Sequence, residues 1–103
     1  MFRRGRFDDL VRRQLDLFAS DEAALLEEAA DADAAWTNAS AEESEELYGD
    51  YQLVVDAIGE RLWEIREQYA ASLAEAAAGQ YRAAFDKAAG KRFARLAAFL
   101  GDD

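Results

Sequence analysis

One stripe of apolar side chains in the middle of the chain restricts the fold more than any other feature of the sequence. Its nine members are spaced four and three residues apart in a pattern that repeats every eleven residues. This spacing places them on one face of a nearly straight α-helix and predicts a long amphipathic helix over about residues 41–78. The members are Leu47, Tyr51, Val54, Ile58, Leu62, Ile65, Tyr69, Leu73 and Ala76.

The residues before this helix predict a turn. Residues 37–40 read Thr-Asn-Ala-Ser, and such side chains bond to their own backbone more readily than they extend a helix. Ser40 and Glu43 match a capping box, in which the serine oxygen accepts a hydrogen bond from the third helical amide and the glutamate reaches back to the cap. We therefore expect a first turn at residues 37–40 and a helix that begins near Ala41.

The first segment has a different pattern, in which pairs of adjacent apolar residues recur every seven residues. Residues with this recurrence share one face of a helix, so we predict a first helix over about residues 7–36. The Ser-Asp-Glu at residues 20–22 is an alternative helix start, but the stripe continues in phase across it and favours an unbroken helix. The pairs are Leu10-Val11, Leu17-Phe18 and Ala24-Leu25, followed by Ala32.

Gly79 predicts the second turn, because glycine readily adopts the left-handed conformation that closes a helix. A third helix then spans about residues 81–100, and the alternative is one helix over residues 41–100 that is kinked at Gly79. Its apolar face consists of Phe85, Ala88, Ala89, Phe93, Leu96 and Leu100.

Together these segments predict an all-α fold in a single domain over residues 1–103. The absence of Pro and an alanine content of roughly a quarter support uninterrupted helices. At 1.5 Å per residue the three helices measure about 45, 57 and 30 Å. We expect an elongated antiparallel helical hairpin with a shorter third helix, a three-helix bundle that dimerisation completes.

The composition excludes most catalytic chemistry. The chain has no His and no Cys, so it lacks the commonest general base, the commonest transition-metal ligand and every thiolate reaction. A ferritin-like metal pair needs Glu-x-x-His motifs, which this chain cannot supply. We predict no enzymatic activity and no cofactor. A carboxylate-rich metal-binding protein or metal-dependent enzyme is the alternative from another class.

The charge is distributed unevenly along the chain. The net charge is −10, and no Lys or Arg lies between Arg13 and Arg61. We expect no nucleic-acid partner, because a phosphate backbone repels such a chain. An acidic decoy or adaptor for a basic protein is a further alternative. If the helices meet at Gly79, Arg95 approaches Glu64, and Lys91 approaches Glu67 or Gln68.

The sequence has no apolar stretch of roughly 18 residues, the length that a membrane span needs. Its basic first residues are followed by Asp8 and Asp9 instead of the apolar region of a signal peptide. We therefore expect a cytoplasmic protein with no membrane partner.

The apolar stripes are too long for so short a chain to cover alone, which predicts a dimer or a helical protein partner. Tyr51 is expected in the core, with Tyr48 and Trp63 at its edge and their polar atoms in water. The alternative makes Tyr48, Trp63 and Trp36 anchors of a protein interface, in which Trp36 and Tyr48 act together because they flank the same turn. The candidate interface residues are Leu17, Phe18, Leu25, Trp36, Tyr48, Tyr51, Val55 and Trp63.

Overall fold

The computed structural model describes residues 5–94, which form four α-helices and no strand. Helix α1 spans Asp8–Asp21, α2 spans Ala23–Thr37, α3 spans Ser44–Ala70 and α4 spans Glu75–Arg92. The all-α prediction is confirmed over these residues, which extend 50 × 28 × 24 Å. The predicted number of three helices is wrong, since the described part of the chain contains four.

The fourth helix arises from a break at Glu22, so the prediction of one helix over residues 7–36 is wrong. Glu22 has φ −109° and ψ 30°, outside the helical range. The Glu22 N–H still donates to the Phe18 carbonyl, and the Leu26 N–H donates to the Glu22 carbonyl. Because α1 packs on α4 and α2 packs on α3, the break allows one apolar stripe to meet two different neighbours.

Helices α2 and α3 form an antiparallel hairpin around the predicted first turn. α2 ends at Thr37, and the side-chain amide of Asn38 donates to the Ala34 carbonyl at 2.9 Å. Ser40 Oγ accepts the Glu43 N–H at 3.3 Å and donates to Glu43 Oε1 at 2.9 Å. Ser40 and Glu43 are thus paired as predicted, but in the turn at residues 41–43 and not as the cap of the helix: α3 begins at Ser44 without a side-chain cap hydrogen bond, so the predicted start near Ala41 is too early.

The second turn lies at residues 71–74, so the prediction of a turn at Gly79 is wrong. Gly79 lies inside α4, and the alternative of one helix kinked at Gly79 is wrong as well. Ser72 Oγ donates to the Tyr69 carbonyl at 2.6 Å, and Ala74 is extended at φ −63° and ψ 153°. The predicted third helix over residues 81–100 therefore starts too late, and its residues 95–100 lie outside the described residues.

The core runs along α3, and the stripe predicted there is largely confirmed. Tyr51, Ile58 and Leu62 are buried, and five further members are half-buried on the same face: Leu47, Val54, Ile65, Tyr69 and Leu73. The exception is Ala76, which is exposed because it belongs to α4 in the structure.

Helices α1 and α4 run parallel to each other across this core. The Phe7 ring meets the Tyr81 ring edge-on at a centroid distance of 5.6 Å near the start of both helices. Phe18 meets Phe93 in the same manner at 5.5 Å near their ends. α1 is thus held mainly by α4 and makes little contact with α3.

Candidate functional site

Helices α1 and α3 stand apart, and a groove of about 440 Å³ lies between them. Its base consists of the buried Phe18 and the half-buried Ile65 and Tyr69. On one side the groove is lined by α1 and the break residue over residues 14–22, and on the other side by α3 and the second turn over residues 61–72. The groove forms because α1 and α3 each pack on α4 instead of on each other.

Leu17 is the exposed apolar side chain of this groove, with 62% of its surface open to solvent. Its neighbour Phe18 is buried, because consecutive residues of a helix point about 100° apart. The other pairs of the first segment divide in the same way. The second members Val11 and Leu25 are less exposed than the first members Leu10 and Ala24. The first members therefore form an outer stripe, defined as Leu10, Leu17 and Ala24.

An ion pair closes one end of the groove. Arg61 Nε donates to Glu22 Oε2 at 3.1 Å, and a second guanidinium nitrogen lies 3.6 Å from Glu64. The break residue Glu22 is thus joined to α3.

At the other end, Gln14 joins α1 to the core. The Tyr81 hydroxyl donates to Gln14 Oε1 at 2.7 Å. Burial raises the pKa of Tyr81 above its ordinary value. The hydroxyl therefore stays protonated at neutral pH and fixes the position of the Gln14 side chain.

The α3 wall of the groove is held to α4 by a network of charged side chains. Arg66 is buried, and it donates to Asp86 Oδ1 at 2.8 Å and to Glu67 Oε2 at 2.9 Å. Arg82 makes two further hydrogen bonds to Glu67, at 2.9 and 3.0 Å. Burial lowers the pKa of Arg66, but the hydrogen bonds and charges of Asp86 and Glu67 outweigh it and raise the net value.

This network corrects the predicted register of the two helices. Glu67 accepts hydrogen bonds from Arg66 and Arg82, so the expectation that Lys91 approaches Glu67 or Gln68 is wrong. Lys91 lies instead beside a hollow that Leu26 and Tyr51 also line. Because the turn precedes Gly79, residues of α4 meet positions of α3 earlier in the chain than predicted, as Asp86 does with Arg66. The predicted contact of Glu64 with Arg95 lies outside the described residues.

Glu67 gives the stability of the hairpin a pH dependence. Hydrogen bonds from Arg82 and Arg66 lower the pKa of Glu67 below its ordinary value of 4.5, against the opposing effect of burial. Its contribution is complete above pH 4.5 and is lost as the pH falls through the lowered folded value. We expect the difference in unfolding free energy between wild type and Glu67→Gln to shrink as the pH is lowered from 7 to 3. Urea unfolding at each pH measures it, and a constant difference would contradict the role of Glu67. The matched control is Glu60→Gln, an exposed position of the same helix.

The predicted interface residues occupy three kinds of position. Leu17, Tyr48 and Trp63 are exposed, whereas Leu25 and Trp36 are half-buried. The remaining three are buried within the chain itself: Phe18, Tyr51 and Val55. Of the eight, only Leu17 and Phe18 line the groove.

The structure brings together the three aromatic residues at the first turn. The Trp36 ring lies 4.9 Å from the Tyr48 ring and stacks on Tyr51 at 5.7 Å. The expectation that Tyr51 is core and Tyr48 lies at its edge is confirmed by their burial. Ile65 and Leu53 were not among the predicted interface residues. Ile65 lines the groove. Leu53 is 70% exposed, and the one sequence signal for this exposure is that Leu53 does not belong to the apolar stripe of α3.

Comparison of the chain with models of known protein families, with curated protein sequences and with solved structures finds no match. Within residues 5–94, no group of three or more acidic side chains is placed to hold a metal ion. None of the helices in that range combines the length and the hydrophobicity that a membrane span requires.

Proposed function

We propose that this protein is a non-enzymatic helical interaction protein that pairs with a second copy of itself through the α1/α3 groove. The observation that carries the proposal is the position of Leu17, which is 62% exposed beside the apolar base of the groove. Burial of a leucine side chain contributes about 1.5–3 kcal/mol. A helix laid in the groove would cover Leu17 and Ile65 together.

The architecture also supports this proposal. Helical bundles bury their apolar faces by surrounding them with further helices. In each copy the groove is lined by two helices, α1 and α3, so two copies that face each other would form a four-helix arrangement. The absence of His and Cys from the sequence favours binding over catalysis.

The test is the replacement of Leu17 by a charged residue. A two-fold pair buries two copies of Leu17, so we expect Leu17→Glu to raise the dissociation constant of the dimer at least about 100-fold. Light scattering coupled to size exclusion, over a dilution series, should give twice the chain mass of 11.5 kDa for wild type and the single mass for the variant.

Leu53→Glu is the matched control, because Leu53 is equally exposed but lies outside the groove. It should dimerise as wild type does, and both variants should keep the helical circular dichroism of the parent. The proposal is wrong if wild type remains at 11.5 kDa at every concentration, or if Leu53→Glu dissociates as readily as Leu17→Glu.

A further inference from the structure

The charges of α1 indicate how the two copies are oriented. Arg13 lies four residues before Leu17, and Asp21 lies four residues after it. Residues four apart on a helix share a face, so both charges flank the exposed leucine. We infer that the two copies pair through α1 in antiparallel orientation, with Leu17 on the two-fold axis; this inference rests on the proposed function.

The orientation follows from symmetry. When two identical helices cross antiparallel at Leu17, a residue that precedes it by four faces the residue that follows it by four in the other copy. Arg13 of each copy then lies opposite Asp21 of the other, so the contact contains two ion pairs of opposite charge. A parallel arrangement would place Arg13 against Arg13 and Asp21 against Asp21, which is repulsive.

Both charged groups are available for this contact. Arg13 and Asp21 are exposed, and neither makes an ion pair with another residue in the described range 5–94. The neighbouring charges of α1 are already engaged within the chain, since Arg12 pairs with Asp9 at 3.7 Å and Asp16 accepts a hydrogen bond from Arg92. Among the charged residues of α1, Arg13 and Asp21 are thus the two that make no hydrogen bond or ion pair within residues 5–94.

Two charge reversals test this orientation. In Arg13→Glu each copy presents two acidic groups to the other, and in Asp21→Arg each presents two basic groups. We expect each variant alone to dimerise at least about tenfold more weakly than wild type at low ionic strength. High salt should reduce the difference by screening the repulsion. An equimolar mixture of both should recover the affinity of wild type, because the introduced glutamate of one variant then faces the introduced arginine of the other.

The matched control is Arg12→Glu. Arg12 is exposed on the same helix but points about 100° away from Arg13 and already pairs with Asp9. It should leave the dissociation constant within about twofold of wild type, since isolated surface ion pairs contribute little.

A second measurement uses the absence of Cys from the chain. On the two-fold axis, Leu17→Cys brings two thiols into the range of a disulfide, and Leu53→Cys does not. Oxidation should cross-link the first variant and leave the second monomeric on non-reducing gels.

The outcomes separate this inference from the proposed function. A wild-type protein that stays monomeric overturns both. If wild type dimerises and Leu17→Glu does not, but the mixture of the two charge-reversal variants binds no better than either alone, the groove still pairs two copies and the antiparallel orientation is wrong.

Discussion

Replacement of Tyr81 by alanine is expected to lower the free energy of unfolding by about 3–5 kcal/mol, the loss typical of a large buried aromatic residue. Tyr81 is fully buried, and its ring contacts Tyr69 at 4.8 Å, Phe7 at 5.6 Å and Phe85 at 6.0 Å. These rings lie on α3, beside the start of α1, and on α4. Truncation therefore leaves a cavity where three helices meet.

The measurement is the urea midpoint and slope of helical circular dichroism, compared among three proteins. Tyr81→Phe keeps the ring and removes only the hydroxyl that donates to Gln14, so it should cost about 1 kcal/mol. Leu53→Ala removes an exposed side chain and should stay within about 0.5 kcal/mol of wild type. Equal losses for Tyr81→Ala and Tyr81→Phe would show that ring packing does not hold these helices together.

Asp86→Ala is expected to have the second largest effect on folding stability, a loss of about 2 kcal/mol. The substitution removes one hydrogen-bonded carboxylate from the buried Arg66 guanidinium. The loss stays below the roughly 3–5 kcal/mol typical of a fully buried pair that is broken, because Glu67 still accepts from Arg66 and the Asp86 side chain is 30% exposed.

Arg66→Met provides the comparison for this prediction. It replaces the buried charge with an apolar side chain of similar length, and Glu67 keeps its two hydrogen bonds from Arg82. We therefore expect Arg66→Met to destabilise the protein less than Asp86→Ala does. Urea unfolding of both variants at neutral pH tests the order, and the reverse order would contradict the view that the carboxylate compensates a buried charge.

The sequence predicts the parts of this fold that have a local chemical cause. The first turn follows from side chains that compete for the backbone, and both Asn38 and Ser40 make such hydrogen bonds. The apolar face of α3 follows from the spacing of its apolar residues, because residues four and three apart lie on one side of a helix and that side is the one buried in the core. These features depend on residues close to one another in the chain.

The second turn could not be located in this manner. The segment 71–74 is rich in residues that favour helix, whereas Gly79 costs only about 1 kcal/mol inside one. Long-range contacts decide between the two positions, among them the packing of the Tyr69 ring on the Tyr81 ring and the ion pair of Arg66 with Asp86. Sequence periodicity contains no information about which distant charge a buried arginine will meet.

The break at Glu22 and the groove were missed for a related reason. The apolar pairs stay in phase across the break, so periodicity alone favours one helix. The two helices differ in their packing partners, since α1 packs on α4 and α2 packs on α3. At the break between them, Glu22 pairs with Arg61 across the groove. The sequence nevertheless predicts Leu17 as an interface residue, because the apolar stripes are too long for so short a chain to cover alone.

The two residues of each apolar pair point in different directions, so substitutions at them have different consequences. Changes at Val11 or Phe18 alter the free energy of folding, whereas changes at Leu17 act on a solvent-exposed position. If two copies pair as proposed, substitutions at adjacent positions of α1 change the stability of the fold and the strength of that pairing independently of each other.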